Sequence, residues 1–161
     1  MIADNADACL RVVLADDHVA FRQSLRSILE TLGGTDVVAE SSDGEGALTA
    51  YLCHRPHVLV LDLRMPHLDG LQVVCRVLAA DPTACILVLT TSATDHQIQR
   101  VLAAGAKACL FKDVAPQVLL QILRRVAAGE TIPPTAAWGE PSCAATPSAD
   151  KHVQREEPTG P

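Results

Sequence analysis

The chain has no apolar run long enough to cross a bilayer. A membrane helix needs about 18–20 consecutive apolar residues, and the strongest run here, Cys85 to Leu89, has the length of a buried strand. Positive charge is also scarce: 13 basic residues stand against 19 acidic ones in 161, a formal net charge of −6. Such a balance repels a polyanion, so direct nucleic-acid binding is not expected. The N-terminus carries Asp4 and Asp7 and lacks the basic-then-apolar pattern of a secretory signal. There is no Cys-x-x-Cys; the six cysteines, at 9, 53, 75, 85, 109 and 143, follow no regular spacing and read as reduced thiols. No GxxxxGK[ST] loop occurs, and Gly44-x-Gly46 lacks the third glycine of a dinucleotide fingerprint. These absences point to a cytoplasmic protein with no membrane contact.

Apolar residues make up 48% of the chain, enough for one core. Residues 11–130 alternate between two patterns. Strand-like runs are Arg11–Ala15, Asp36–Glu40, Val58–Leu63, Cys85–Thr90 and Ala108–Lys112. Helical faces, with apolar residues three and four apart, follow each: Phe21, Leu25, Ile28 and Leu32, for example, or Val118, Ile122 and Val126. Gly33-Gly34, Asp81-Pro82, Gly105 and Gly129 punctuate the ends, with Asp43 and Asp95 as expected helix caps. Five strands alternating with five helices predict an α/β domain, a flavodoxin-like, doubly wound parallel sheet with helices on both faces. Residues 1–10 read as an extension. Residues 131–161 hold six of the ten prolines and read as a flexible, Pro-rich tail or linker. The lone Trp138 lies there.

In an open parallel sheet, ligands bind beyond the carboxyl ends of the strands. The predicted strands end in Asp16-Asp17, Asp62, Thr90 and Lys112. Three carboxylates in one cleft repel one another unless a cation joins them. Hard oxygen donors select Mg²⁺ or a similar ion such as Mn²⁺, and that ion together with Lys112 would attract a dianionic phosphoryl group. Cys53, His54 and His57 cluster before the third strand, at the opposite edge, with too few donors at too irregular a spacing for zinc.

Asp16-Asp17, Asp62-Leu63-Arg64-Met65-Pro66 with Gly70, Thr90 and Lys112, in that order, resemble the receiver domain of bacterial two-component response regulators. Ala15-Asp16-Asp17-His18, Gly105-Ala106-Lys107 and Lys112-Asp113 resemble more particularly the subfamily usually joined to a LuxR-type helix-turn-helix. The resemblance implies that Asp62 is the phosphoacceptor, taking a phosphoryl group from a sensor histidine kinase. It implies that Asp17, Asp62 and the backbone carbonyl of Arg64 ligate Mg²⁺, with Asp16 acting more through water. Lys112 would pair with the phosphoryl group and Thr90 would swing toward it. Met65, Pro66 and Gly70 would shape the loop after the third strand. The domain would be a phosphoacceptor that assists its own phosphorylation and dephosphorylation rather than an enzyme with a separate substrate. Homodimers or heterodimers through the face running from the fourth to the fifth helix are the implied partners.

The chain departs from that pattern in two places. The family's aromatic switch position, three residues before the lysine, is Cys109; a small thiol cannot swing as a ring does. Phe111 is expected on the other face of that strand. The 31 residues after Glu130, broken by prolines, are too few for the several helices of a LuxR-type DNA-binding region, and none is expected among them. Two alternatives follow: the receiver half of a truncated LuxR-type regulator, or a phosphorylation-independent pseudo-receiver. A dehalogenase-type phosphatase would need a second Asp two positions after the nucleophile, where Arg64 stands.

Overall fold

The structure is a computed structural model and describes residues 8–134; Trp138 and the rest of the predicted tail lie outside the described residues. Strands and helices alternate strictly: β1 (Leu10–Ala15), α1 (Val19–Leu32), β2 (Thr35–Ser41), α2 (Gly44–His54), β3 (Val58–Leu61), α3 (Gly70–Ala80), β4 (Ile86–Thr90), α4 (Asp95–Ala104), β5 (Ala108–Phe111) and α5 (Pro116–Ala127). The five strands form one sheet in the order β2-β1-β3-β4-β5, every pair parallel. The predicted doubly wound architecture is the one found.

Strand periodicity sorts the core into two layers. Val13, Ala15, Leu59, Leu61, Ile86, Val88 and Cys109 face α2, α3 and α4, whereas Val12, Leu14, Val58, Val60, Leu87, Leu89, Ala108 and Leu110 face α1 and α5. Both faces of β3 and β4 are buried, which explains their continuous apolar runs. Phe111 packs with the same layer as Cys109. The expectation that it faces away from Cys109 is therefore corrected: residues two apart on a strand share a face.

Several boundaries move. β1 begins at Leu10, inside the predicted extension, and β3 stops at Leu61 rather than Leu63. Asp43 does cap α2, accepting from the Gly46 amide at 2.7 Å. Asp95 does not cap α4. Thr94 does, through a capping box in which its hydroxyl accepts from the Gln97 amide at 3.2 Å and the Gln97 side chain accepts from the Thr94 amide at 2.9 Å. Asp95 sits in the first turn, where its charge still suits the helix dipole. Ile132, placed by its composition in the tail, is buried against the α1–α5 layer, and its amide donates to the Lys107 carbonyl at 2.7 Å. The core thus reaches past residue 130.

The strand order reverses beside β1. The chain leaves β1 for β2 on one side and then returns to β3 on the other. Such a crevice, outside the carboxyl ends of the two central strands, is where this architecture leaves room for a ligand.

Candidate functional site

The register of β1 and β3 fixes the site. Ala15 and Leu61 are partners, so the next residues, Asp16 and Asp62, emerge side by side at the reversal point. The Asp62 amide donates to the Ala15 carbonyl at 2.9 Å and the Asp16 amide to the Ser41 carbonyl at 3.0 Å. Both carboxylates are buried, at 6% and 5% exposure, while Asp17 faces solvent. One oxygen from each of Asp16, Asp17 and Asp62 lies within 4.8 Å of the others. Among the described residues this is the one cluster of metal-ligating side chains. It consists only of hard carboxylate oxygens with one exposed member, and so fits a small divalent cation.

Lys112 reaches the same point from β5. Its amide donates to the Thr90 carbonyl at 2.8 Å, which fixes its backbone beside β4. Its ammonium lies 2.6 Å from Asp16 Oδ2 and 3.2 Å from Asp62 Oδ2, with the side chain only 9% exposed. Two buried acids thus share one buried cation. Burial pushes the Asp62 carboxyl pKa up; Lys112 pulls it back, the Asp16 charge adds to the rise, and it stays above its ordinary value. Burial draws the Lys112 pKa down, but the hydrogen bond to Asp16 and the charges of both acids outweigh it, and the ammonium is held more firmly than usual. The site keeps its positive group charged and leaves Asp62 short of counter-charge.

The surrounding residues hold this arrangement in place. The Arg64 amide donates to Asp62 Oδ1 at 3.3 Å, and the His18 amide to Asp16 Oδ1 at 2.8 Å. Arg22, on α1, donates to the Asp16 carbonyl at 2.5 Å and to Glu40 on β2 at 3.0 Å. Gly70 begins α3 directly under the acid: a Cβ there would stand 2.5 Å from the Asp62 carbonyl oxygen and 2.7 Å from Leu63 Cα. Met65 and Leu68 anchor the intervening loop in the core, while Pro66 and His67 are exposed, His67 at a left-handed φ of 68°. Thr90 ends β4 at 1% exposure, its hydroxyl donating to the Ser92 carbonyl at 3.2 Å.

The structure therefore brings Asp16, Asp17, Asp62 and Lys112 together, and Lys112 contacts Asp16 directly. Cys109, which takes the place of the family's aromatic residue, is 2% exposed within the core, and burial pushes its thiol up to about 11. No carboxylate stands two residues after Asp62, so the dehalogenase arrangement is not met. His57 Nδ1 is occupied otherwise, accepting from the Arg11 amide at 2.9 Å, and Arg11 also donates to the backbone carbonyl of His54 at 2.7 Å. Sequence reasoning missed Phe21, which it read only as one residue of an apolar helix face. The Phe21 ring centre lies 4.5 Å from Lys112 Nζ. Its position four residues after Asp17, on the first turn of α1, was the available signal.

Residues 12–124 match the response regulator receiver domain family. A nitrate/nitrite response regulator protein homolog from Haemophilus influenzae is 37% identical over 123 residues, 76% of this chain and 59% of that protein. The nitrate/nitrite response regulator protein NarP of Escherichia coli is 34% identical over 122 residues, 76% of this chain and 57% of that protein. The chain thus spans less than two thirds of the length of these relatives. The solved signal receiver domain of the response regulator NarL from Mycobacterium tuberculosis superposes with a TM-score of 0.72 at 32% identity, covering 75% of this chain and 98% of that one.

Proposed function

Because the chain belongs to the response regulator receiver domain family, we propose that Asp62 accepts a phosphoryl group from the phosphohistidine of a sensor kinase and that this modification switches the domain between two signalling states. The observation that carries the reading is the buried ammonium of Lys112 between Asp16 and Asp62, with Asp17 beside them.

Asp17, Asp62 and the Arg64 carbonyl would hold a magnesium or manganese ion, with Asp16 acting through water, and the ion would supply positive charge at the phosphoryl oxygens. The chain's own residues do the rest. An Asp62 oxygen forms the bond to phosphorus while the nitrogen–phosphorus bond of the donor breaks, and the imidazole keeps the electron pair and takes a proton. Lys112, released from Asp62 Oδ2, turns to a phosphoryl oxygen and offsets charge that develops in transfer. Thr90 exchanges its bond to the Ser92 carbonyl for a bond to another oxygen. That exchange draws the start of the β4–α4 loop toward the site and biases α4 toward its second packing. A homodimer or heterodimer through the α4, β5 and α5 face is the output we assign to that packing.

Incubation with Mg²⁺ and acetyl phosphate should add one phosphoryl mass to the intact protein, and Asp62→Asn should add none. An unmodified wild-type chain under conditions that label a known receiver would overturn the reading. Size-exclusion chromatography with and without beryllofluoride tests the output: self-association is expected only with the mimic.

A further inference from the structure

We propose that Phe21 is a positioning residue for phosphoryl transfer, its ring holding the Lys112 ammonium in place on the one side the acids leave open. The inference rests on the assignment of Asp62 as acceptor.

An ammonium has three N–H donors. Asp16 takes one at 2.6 Å and Asp62 another at 3.2 Å. The Phe21 ring centre stands 4.5 Å from the same nitrogen, well inside the range of about 6 Å at which a ring face attracts a cation. The side chain of Lys112 is 9% exposed, so the ring occupies space that water would otherwise take. Water there would screen the charge that Lys112 brings to the phosphoryl oxygens.

The ring also differs from the acids in what it permits. A third carboxylate would pin the ammonium by a directional bond and add negative charge where the phosphoryl group must approach. A ring attracts the cation without either effect. Lys112 can then carry a donor from Asp62 Oδ2 to a phosphoryl oxygen while it remains over the ring.

Placement supports the role. Phe21 lies in the first turn of α1, four residues after Asp17, so the loop that sets the acids also sets the ring. One turn further on, Leu25 is buried in the α1–α5 layer and fixes the helix against the sheet. Arg22, the next residue, ties the same turn to the Asp16 carbonyl.

The test uses the whole 161-residue chain with Mg²⁺ and acetyl phosphate. In this reaction an Asp62 oxygen bonds to phosphorus as the acetyl oxygen–phosphorus bond breaks, and acetate leaves with the electron pair. The rate is followed by intact mass. Phenylalanines bearing one, two and three fluorines, placed at position 21, preserve the shape of the ring and progressively weaken its hold on a cation. The rate should fall with each fluorine, and Phe21→Leu should lie about 3- to 10-fold below wild type, the span expected of a partly buried cation–π contact. Mg²⁺ affinity by calorimetry should stay level across the series, because the ring offers no atom that ligates a hard cation. A rate that is flat across the fluorinated chains overturns the role of Phe21 even if Phe21→Leu is slow or misfolded. A wild-type chain that takes no phosphoryl group would instead overturn the Asp62 reading, and this one with it.

Discussion

Thr90 and Phe111 are register partners on adjacent parallel strands, so their side chains leave the same face of the sheet, toward α4. Cys109 pairs with Val88, one step deeper in the same layer. The aromatic ring beside the hydroxyl is therefore that of Phe111, two residues beyond the position where the family carries one. If Thr90 moves on phosphorylation, Phe111 is the bulky neighbour that must respond. Phe111→Ala is expected to leave acetyl phosphate labelling of Asp62 within about twofold of wild type and to abolish the change in amide exchange that beryllofluoride produces in α4. Cys109→Ala should leave that change intact and cost only about 1 kcal/mol of stability, since it removes one small buried group. The reverse pattern, with position 109 sensitive and 111 silent, would show that the thiol carries the signal.

The acid cluster predicts a metal-dependent stability. Asp16, Asp17 and Asp62 approach within 4.8 Å with Lys112 as the buried cation between two of them. Like charges so placed oppose folding when no cation is added. Asp17→Asn should raise the melting temperature in chelator, because it removes one of three clustered negative charges. Mg²⁺ at about 100 times its Kd should stabilise wild type by about 2.7 kcal/mol and Asp17→Asn far less. Thermal melts with and without Mg²⁺ check both. An equal shift in the two proteins would remove Asp17 from the ligand set.

The parallel architecture and the convergence of Asp16, Asp17, Asp62 and Lys112 were legible because short strand-like runs alternate with helical faces along the chain. That alternation implies a parallel sheet, which sends every strand's C-terminal end to one rim. What was not legible depends on contacts between elements. The position of Phe21 four residues after Asp17 places the ring near the acids, but no local pattern says that it meets the ammonium that follows β5, or that Ile132 folds back onto the core. The α2 terminus was equally hidden. Its C-cap is Arg55 in a left-handed conformation, φ 44°, where glycine is the usual signal. Thr94 was overlooked as a cap because the acid after it fits the same rule, and only the reciprocal bond from Gln97 separates them.

Gly70 offers a test of how tightly the acceptor loop is built. Its amide donates to the Leu63 carbonyl at 3.0 Å, and a Cβ would press on the Asp62 carbonyl oxygen and on Leu63 Cα, both backbone atoms that cannot rotate away. Gly70→Ala should therefore shift the backbone of Asp62, with a stability cost of about 1–3 kcal/mol typical of overpacking. Urea denaturation measures the cost. Labelling by acetyl phosphate should slow at least tenfold, as expected for a displaced reacting group. A variant that is destabilised yet labels at the wild-type rate would show that the loop tolerates the shift without moving the acid.

The far edge of the sheet carries a pH prediction independent of the acceptor site. The Tyr51 hydroxyl donates to Asp81 Oδ2 at 2.7 Å, and the other carboxylate oxygen accepts from the Thr83 hydroxyl at 2.7 Å and the Thr83 amide at 3.0 Å. The Thr83 hydroxyl and Tyr51 bonds bring the Asp81 pKa down to about 2, whereas burial and then the hydrogen bond to Asp81 drive the phenol pKa up. Asp81 titrates near 4 when unfolded, about its ordinary value. Its contribution is thus present above about pH 4 and is lost as pH falls toward 2. Asp81→Asn should melt below wild type at pH 7, and the gap should close through that window. Tyr51 acts at the other end. Its raised pKa gives a contribution that is full below about pH 10, the ordinary phenol value, and declines as pH rises beyond it. Tyr51 is the chain's only tyrosine, so its phenolate absorbance reports on this one group. The absorbance should appear only well above pH 10 and together with loss of helical circular dichroism. A phenolate that forms near pH 10 in a folded chain would show that the Tyr51–Asp81 bond does not hold in solution.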